Sequence, residues 1–227
     1  MPPLVLGATG FVGREVVRQL VVRDVKPVAH VRPESAASWR PKLAALGADV
    51  DTTPWDTAAL AATLRRLAPA QLYILIGTTR SRAKADGVDG DIYDRIDYGL
   101  TAIAVAAAVA SACRPRLVYL SSVGADPTAR GGYLRARGRA EAVVRDAGLP
   151  WVIARPSVIT GERDDPRLGE RAAAVVGDGL LAVAGALGGG RLRDRFRSTS
   201  PDVLASALIR IAEGGAHDRV YDGIELR

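Results

Sequence analysis

The stretch Leu4-Val5-Leu6-Gly7-Ala8-Thr9-Gly10-Phe11-Val12-Gly13 runs from three apolar residues into glycines at every third position. The triplet predicts a short buried strand ending at Gly7. Val12, Val16, Val17, Leu20 and Val21 then recur on one helical face, so the glycines stand between a strand and a helix. In that setting the first glycine makes a tight turn. The second lets the backbone approach a diphosphate, and the third lets helix and sheet pack closely. The free N–H groups and positive end of the helix hold the anion. Gly7, Thr9, Gly10, Phe11, Val12 and Gly13 are therefore expected around the diphosphate of a dinucleotide.

Working outward, short β-like runs alternate with helical ones, the rhythm of βαβ units. Strands are expected at 25–31, 48–52, 72–76, 116–120, 151–154 and 220–226. Between them fall helices from Pro33 to about Gly47, from an Asp56 cap through Leu67, over 93–113, over 133–147 and over 202–213. This pattern predicts an α/β fold, a doubly wound, mostly parallel sheet of the Rossmann kind. The 227 residues suit one domain, with 161–200 as an irregular cap on the substrate side.

Composition narrows the function. The formal charge is +6, yet among 31 basic residues only Lys26, Lys42 and Lys84 are lysines. The arginines are scattered through helices without accompanying aromatics, which argues against specific nucleic-acid binding. A single cysteine, Cys113, and two histidines, His30 and His217, exclude a disulfide and leave a metal site without support. The stretch 172–190 is broken by Asp178, so no membrane span is expected. Its 180–187 portion reads as an apolar lid, a subunit contact or a peripheral membrane patch. The apolar run begins too early for a secretory leader, and the expected address is the cytoplasm. A monomer or a homodimer is expected.

Selection between dinucleotides falls at the end of the second strand, where an acid would bind the ribose of NAD. The strand ends His30-Val31-Arg32-Pro33. Arg32 offers a planar cation to a 2′-phosphate, and Arg14 is placed to assist. With Glu34 nearby as the opposing signal, NADP is the expected cofactor.

Four further motifs accompany the glycine loop: Ile-Gly-Thr-Thr-Arg-Ser-Arg at 76–82, Tyr-Leu-Ser-Ser-Val-Gly-Ala-Asp at 119–126, Tyr-Leu-Arg-Ala-Arg-Gly-Arg-Ala-Glu at 133–141, and Ala-Arg-Pro-Ser-Val-Ile-Thr-Gly at 154–161. Together they resemble the atypical short-chain dehydrogenase/reductase family, most closely its Tat-interacting-protein-like branch, over nearly the whole chain. The resemblance implies that Asp56 lies beside the adenine and that Gly77 and Thr78 run along the ribose and diphosphate. It also implies that Pro156, Ser157 and Val158, following Arg155, pass under the nicotinamide.

It further implies a catalytic group of Ser122, with Ser121 its neighbour, Tyr133, and the residue four positions after the tyrosine. There the family's lysine is replaced by Arg137. A phenol near pKa 10 needs a nearby cation to act as acid or base at neutral pH, and a spacing of four puts both on one helix face. Arginine keeps the charge but does not release a proton. Two readings stand. One is an NADP-dependent oxidoreductase acting on a small, apolar carbonyl with Tyr133 as acid/base and Arg137 as electrostatic substitute. The other is a redox-inactive, NADP(H)-binding regulatory or interaction protein.

Overall fold

The computed structural model describes residues 1–78, 91–157, 159 and 199–227. Seven strands form one sheet in which every neighbouring pair is parallel. In chain order they are β1 (Leu4–Leu6), β2 (Val28–His30), β3 (Asp49–Asp51), β4 (Gln71–Ile74), β5 (Arg116–Leu120), β6 (Trp151–Arg155) and β7 (Arg219–Asp222). Their order across the sheet is β3-β2-β1-β4-β5-β6-β7. The chain moves outward from β1 to β3, then returns to place β4 on the other side of β1. That reversal opens a crevice at the carboxyl ends of β1 and β4, where sheets of this kind take ligands.

Among the described residues the α-helices are α1 (Phe11–Val22), α2 (Ala36–Ala45), α3 (Thr57–Leu67), α4 (Thr101–Ser111), α5 (Gly132–Arg145) and α6 (Pro201–Glu213). Side chains alternate across each strand, so one face of the sheet presents Val5, Tyr73, Val118 and Val152 to α1 and α6. The opposite face presents Leu4, Leu6, Ile74, Leu117 and Ile153 to a layer containing α3, α4 and α5. Val16, Val17 and Leu20 of α1 and Leu204 and Leu208 of α6 are almost wholly excluded from water. Burial of such side chains contributes about 2 kcal/mol each.

Several expected elements are shorter than their apolar runs. β2 keeps 28–30 of 25–31, and β7 stops at Asp222, where a 3₁₀ turn, Gly223–Leu226, takes over. Between Pro33 and α2 lies another 3₁₀ turn, Pro33–Ser35. The expected 93–113 helix contains a π-helical segment, Tyr93–Leu100, running directly into α4. The expected cap at 161–200 lies outside the described residues except for Thr199 and Ser200. Thr199 pairs with Ile159 in an isolated parallel bridge.

Candidate functional site

At the end of β1 the backbone turns sharply at Gly7, whose φ is +85°. A β-carbon there would sit 2.6 Å from the Leu75 carbonyl oxygen of the neighbouring strand end. The Gly10 N–H donates to the Gly7 carbonyl at 2.9 Å, closing the turn. A side chain on Gly13 would collide with that same carbonyl and stand 3.0 Å from the Ala8 Cα. The turn therefore holds the amino end of α1 directly over β1. No acidic side chain occupies the first turn of α1, leaving its positive end and N–H groups for an anion. Thr9 and Phe11 are half-buried at this rim. Val12 packs its side chain into the core and has only its backbone to offer.

At the neighbouring strand ends, Arg32 is exposed immediately after β2. Arg14 lies over the Trp39 ring at 5.6 Å, with Lys42 over the same ring at 4.9 Å. Arg14, Trp39 and Lys42 line a cleft of about 480 Å³ with Phe11 and Asp202, between α1, α2 and the start of α6. Asp56 caps α3, its Oδ1 accepting from the Ala59 N–H at 2.9 Å. His30 is buried at the tip of β2, with Nε2 2.8 Å from the Thr53 carbonyl and its ring edge-on to Trp55. Burial pushes its imidazole below the ordinary histidine range.

Tyr133, Arg137 and Glu141 recur every four residues and share a face of α5. Tyr133 is half-buried and meets Tyr93 of the π-helical segment edge-to-face, centroids 5.4 Å apart. Arg137 is only 5% exposed. One terminal nitrogen donates to the Leu120 carbonyl at 2.8 Å and the Tyr119 hydroxyl at 3.3 Å. The other lies 2.8 Å from Asp97. The guanidinium carbon stands 5.4 Å from the Tyr133 ring centroid and 5.9 Å from that of Tyr119. Thus the charge four residues after the tyrosine faces its ring, as a cation on a π face.

Gly77 lies directly against this group: a β-carbon there would be 2.5 Å from Arg137 Nη2. The Thr78 N–H donates to Asp97 Oδ2 at 3.3 Å. Burial pushes the Asp97 carboxyl up to about 6, although Arg137 and the Thr78 N–H pull it down. Burial also raises the Tyr119 hydroxyl. The protonated form of Arg137 is held more firmly than usual, its burial outweighed by Tyr119, Tyr133 and Asp97. The two partners do not feel the pair alike. For Asp97 the loss of water outweighs the attraction.

At the end of β5, Ser122 is almost buried, and its hydroxyl donates only a long 3.3 Å bond to the Val123 carbonyl. Ser121 turns the other way and donates to Glu141 Oε1 at 2.6 Å. Glu141 is 1% exposed and also receives Arg155 and Arg145. After β6, Pro156 is buried and accepts the Val123 N–H at 2.9 Å, and Ser157 is half-buried. Val158 lies outside the described residues. Sequence reading missed Asp97, Tyr119 and Glu141. The available signals were the acid in Ile-Asp-Tyr just before an alanine-rich helix, and the four-residue step from Arg137 to Glu141.

The reversal in strand order, the glycine turn under α1 and the serine and tyrosine beyond β5 define a Rossmann-fold nucleotide-binding protein. Its class is the atypical short-chain dehydrogenase/reductases. Residues 7–180 match the NAD(P)H-binding family model, and the chain belongs to that family. Among curated relatives, "Protein fmp52, mitochondrial" of Aspergillus clavatus is 30% identical over 210 residues, 90% of this chain and 83% of the relative. The Saccharomyces cerevisiae protein of that name is 31% identical over 170 residues, 74% and 69% of the two chains. These names overturn the cytoplasmic expectation, which rested on the lack of a recognisable secretory leader and on a single cysteine.

Among solved structures, the fold is similar to the Escherichia coli NADPH-dependent quinone oxidoreductase complexed with NADPH (TM-score 0.64, 21% identity, 98% of this chain and 68% of that one). It is also similar to the Citrobacter triphenylmethane reductase complexed with NADP(H) (0.63, 19%, 98% and 69%). A third is Bordetella bronchiseptica WbmH in complex with NAD+ (0.66, 15%, 97% and 75%). At such identities the likeness is one of fold.

Proposed function

We propose that the chain is an NADP-dependent reductase of a small, apolar carbonyl compound, with Tyr133 as its proton donor. The observation that carries this is Tyr133 standing beside a buried cation, with Ser122 at the adjoining strand end holding only a long hydrogen bond. The glycine turn and the acid-free first turn of α1 suit the diphosphate, and Arg32 suits a 2′-phosphate. In this reading Asp56 serves the adenine amine, Gly77 and Thr78 the ribose, and the segment following β6, with Pro156 and Ser157, the nicotinamide side.

When bound, NADPH supplies a hydride to the carbonyl carbon. Tyr133 passes its hydroxyl proton to the carbonyl oxygen, and Ser122 donates a hydrogen bond to that oxygen. Arg137, against the ring, balances the charge left on the phenolate. The relatives' names support a mitochondrial setting. The test is NADPH consumption over a panel of carbonyls and quinones. Tyr133→Phe is expected to lower kcat at least 100-fold with NADPH affinity unchanged. Full turnover in that variant would remove the proton donor.

A second reading is a cofactor-binding regulator without turnover. It is favoured by Arg137 being engaged with Asp97 and the Leu120 carbonyl. NADPH binding with no consumption on any panel member would select it.

A further inference from the structure

The π-helical segment and α5 face each other in matching steps. Tyr93 meets Tyr133, and four residues on in both elements Asp97 meets Arg137. A π-helical turn is wider than an α-helical one and tends to occur where a side chain must be aimed at a function. Asp97 sits in that turn with no exposed surface. Asp97 joins three parts of the site: its carboxylate meets Arg137 through Oδ1 and the Thr78 N–H beyond β4 through Oδ2, and its backbone carbonyl accepts the Thr101 hydroxyl of α4 at 2.7 Å.

The fit is imperfect in an informative way. Asp97 Oδ1 is 2.8 Å from Arg137 Nη2 but poorly aligned with its N–H, and Arg137 Nε has no partner among the described residues. Buried polar atoms left in this state are costly. A pair selected only for stability would be better satisfied, or apolar. What the pair does achieve is placement. It fixes a guanidinium against Gly77, where a β-carbon would displace Nη2, and against the ring of Tyr133.

We propose that Asp97 is a positioning residue: through Arg137 and the Thr78 N–H it shapes the nicotinamide-ribose half of the dinucleotide site. It touches no substrate and acts through its partners. The proposal rests on the placement of Gly77 and Thr78 along the ribose given under Proposed function. It goes beyond that reading in assigning a residue the reaction itself does not use.

The test is a binding cycle on the purified full chain with two probes, NADPH and adenosine 2′,5′-bisphosphate, which lacks the nicotinamide half. Asp97→Asn and Arg137→Met are each expected to weaken NADPH about tenfold, and the double variant no further, because the residues act as a unit. The adenosine probe should bind all four proteins within about twofold. The double variant removes both buried charges, so it keeps the test open should either single variant fold poorly in thermal melts. Additive loss of about 100-fold in the double variant would overturn the proposal. So would equal weakening of both probes, or an Asp97→Asn protein that binds NADPH like the parent. Absence of turnover on every carbonyl would instead be a failure of the reductase reading, with this contrast still measurable.

Discussion

Glu141 and Arg155 meet in a two-pronged ion pair, Nε to Oε1 at 2.7 Å and Nη2 to Oε2 at 2.6 Å, joining the middle of α5 to the end of β6. Ser121 adds its hydroxyl to Oε1 and Arg145 a second guanidinium to Oε2. One buried carboxylate thus ties together the ends of β5 and β6, and with them Ser122 and Pro156.

Glu141→Gln should therefore cost about 3 kcal/mol, since it leaves a partly buried arginine with half its acceptors and a serine without a charged one. For a chain of this length that is roughly 6–12 °C in melting temperature. Ser121→Ala removes one hydrogen bond and should cost only about 1 kcal/mol. Thermal melts of the two variants side by side check the order. Equal melting temperatures would mean that the carboxylate is not the organising group.

The reach of the sequence follows from these residues. The glycine turn was legible because each glycine answers a local steric demand that the spacing exposes. The strands were legible because parallel strands covered on both faces read as apolar runs. Their ends were not, since Val25 and Val31 are as apolar as the β2 residues, yet the Val25 N–H turns back to the Leu20 carbonyl and Val31 keeps a single bond to Asp51 of β3 just past the paired register. Tyr133 and Arg137 were placed correctly on one face of α5. That Arg137 would be buried was not legible, because in a chain so rich in arginine a cation on a helix reads as solvated. Asp97 and Glu141 escaped for the same reason, as their meaning lies in partners 40 and 14 residues away. A π-helical turn has no periodicity that sets it apart from the α-helix it interrupts.

Arg32→Ala should separate the two nicotinamide nucleotides. A guanidinium on a 2′-phosphate is a charge-assisted contact worth about 1.5–3 kcal/mol, so NADPH affinity should fall roughly 10- to 100-fold and NADH affinity should hold. The parent's preference for NADPH should also weaken with salt, and the variant's residual binding less so. Titration of both nucleotides at two ionic strengths checks this. Parallel losses for both would place Arg32 at the fold of the turn after β2 and not at a phosphate.

Holding Asp97 ionised in the folded chain has a cost. Its carboxyl stands at about 6 in the folded chain against 3.8 when free in water, because burial outweighs the attraction of Arg137 and the Thr78 N–H, and Asp91 adds repulsion. An acid raised on folding contributes stability that is complete below about 3.8, where both states are protonated. That contribution is lost as pH rises through 6, and it stays lost above. Two units correspond to about 3 kcal/mol. Asparagine mimics the protonated acid and does not titrate. Without the carboxylate, Arg137 keeps the Leu120 carbonyl, the Tyr119 hydroxyl and two ring faces. Asp97→Asn should therefore melt close to the parent at pH 4 and several degrees above it at pH 7, the gap opening between those values. Melting curves from pH 4 to 8 test it, and a gap that stays constant or closes with rising pH would contradict it. Gained stability beside lost NADPH affinity would identify Asp97 as a residue retained for the site at the expense of the fold.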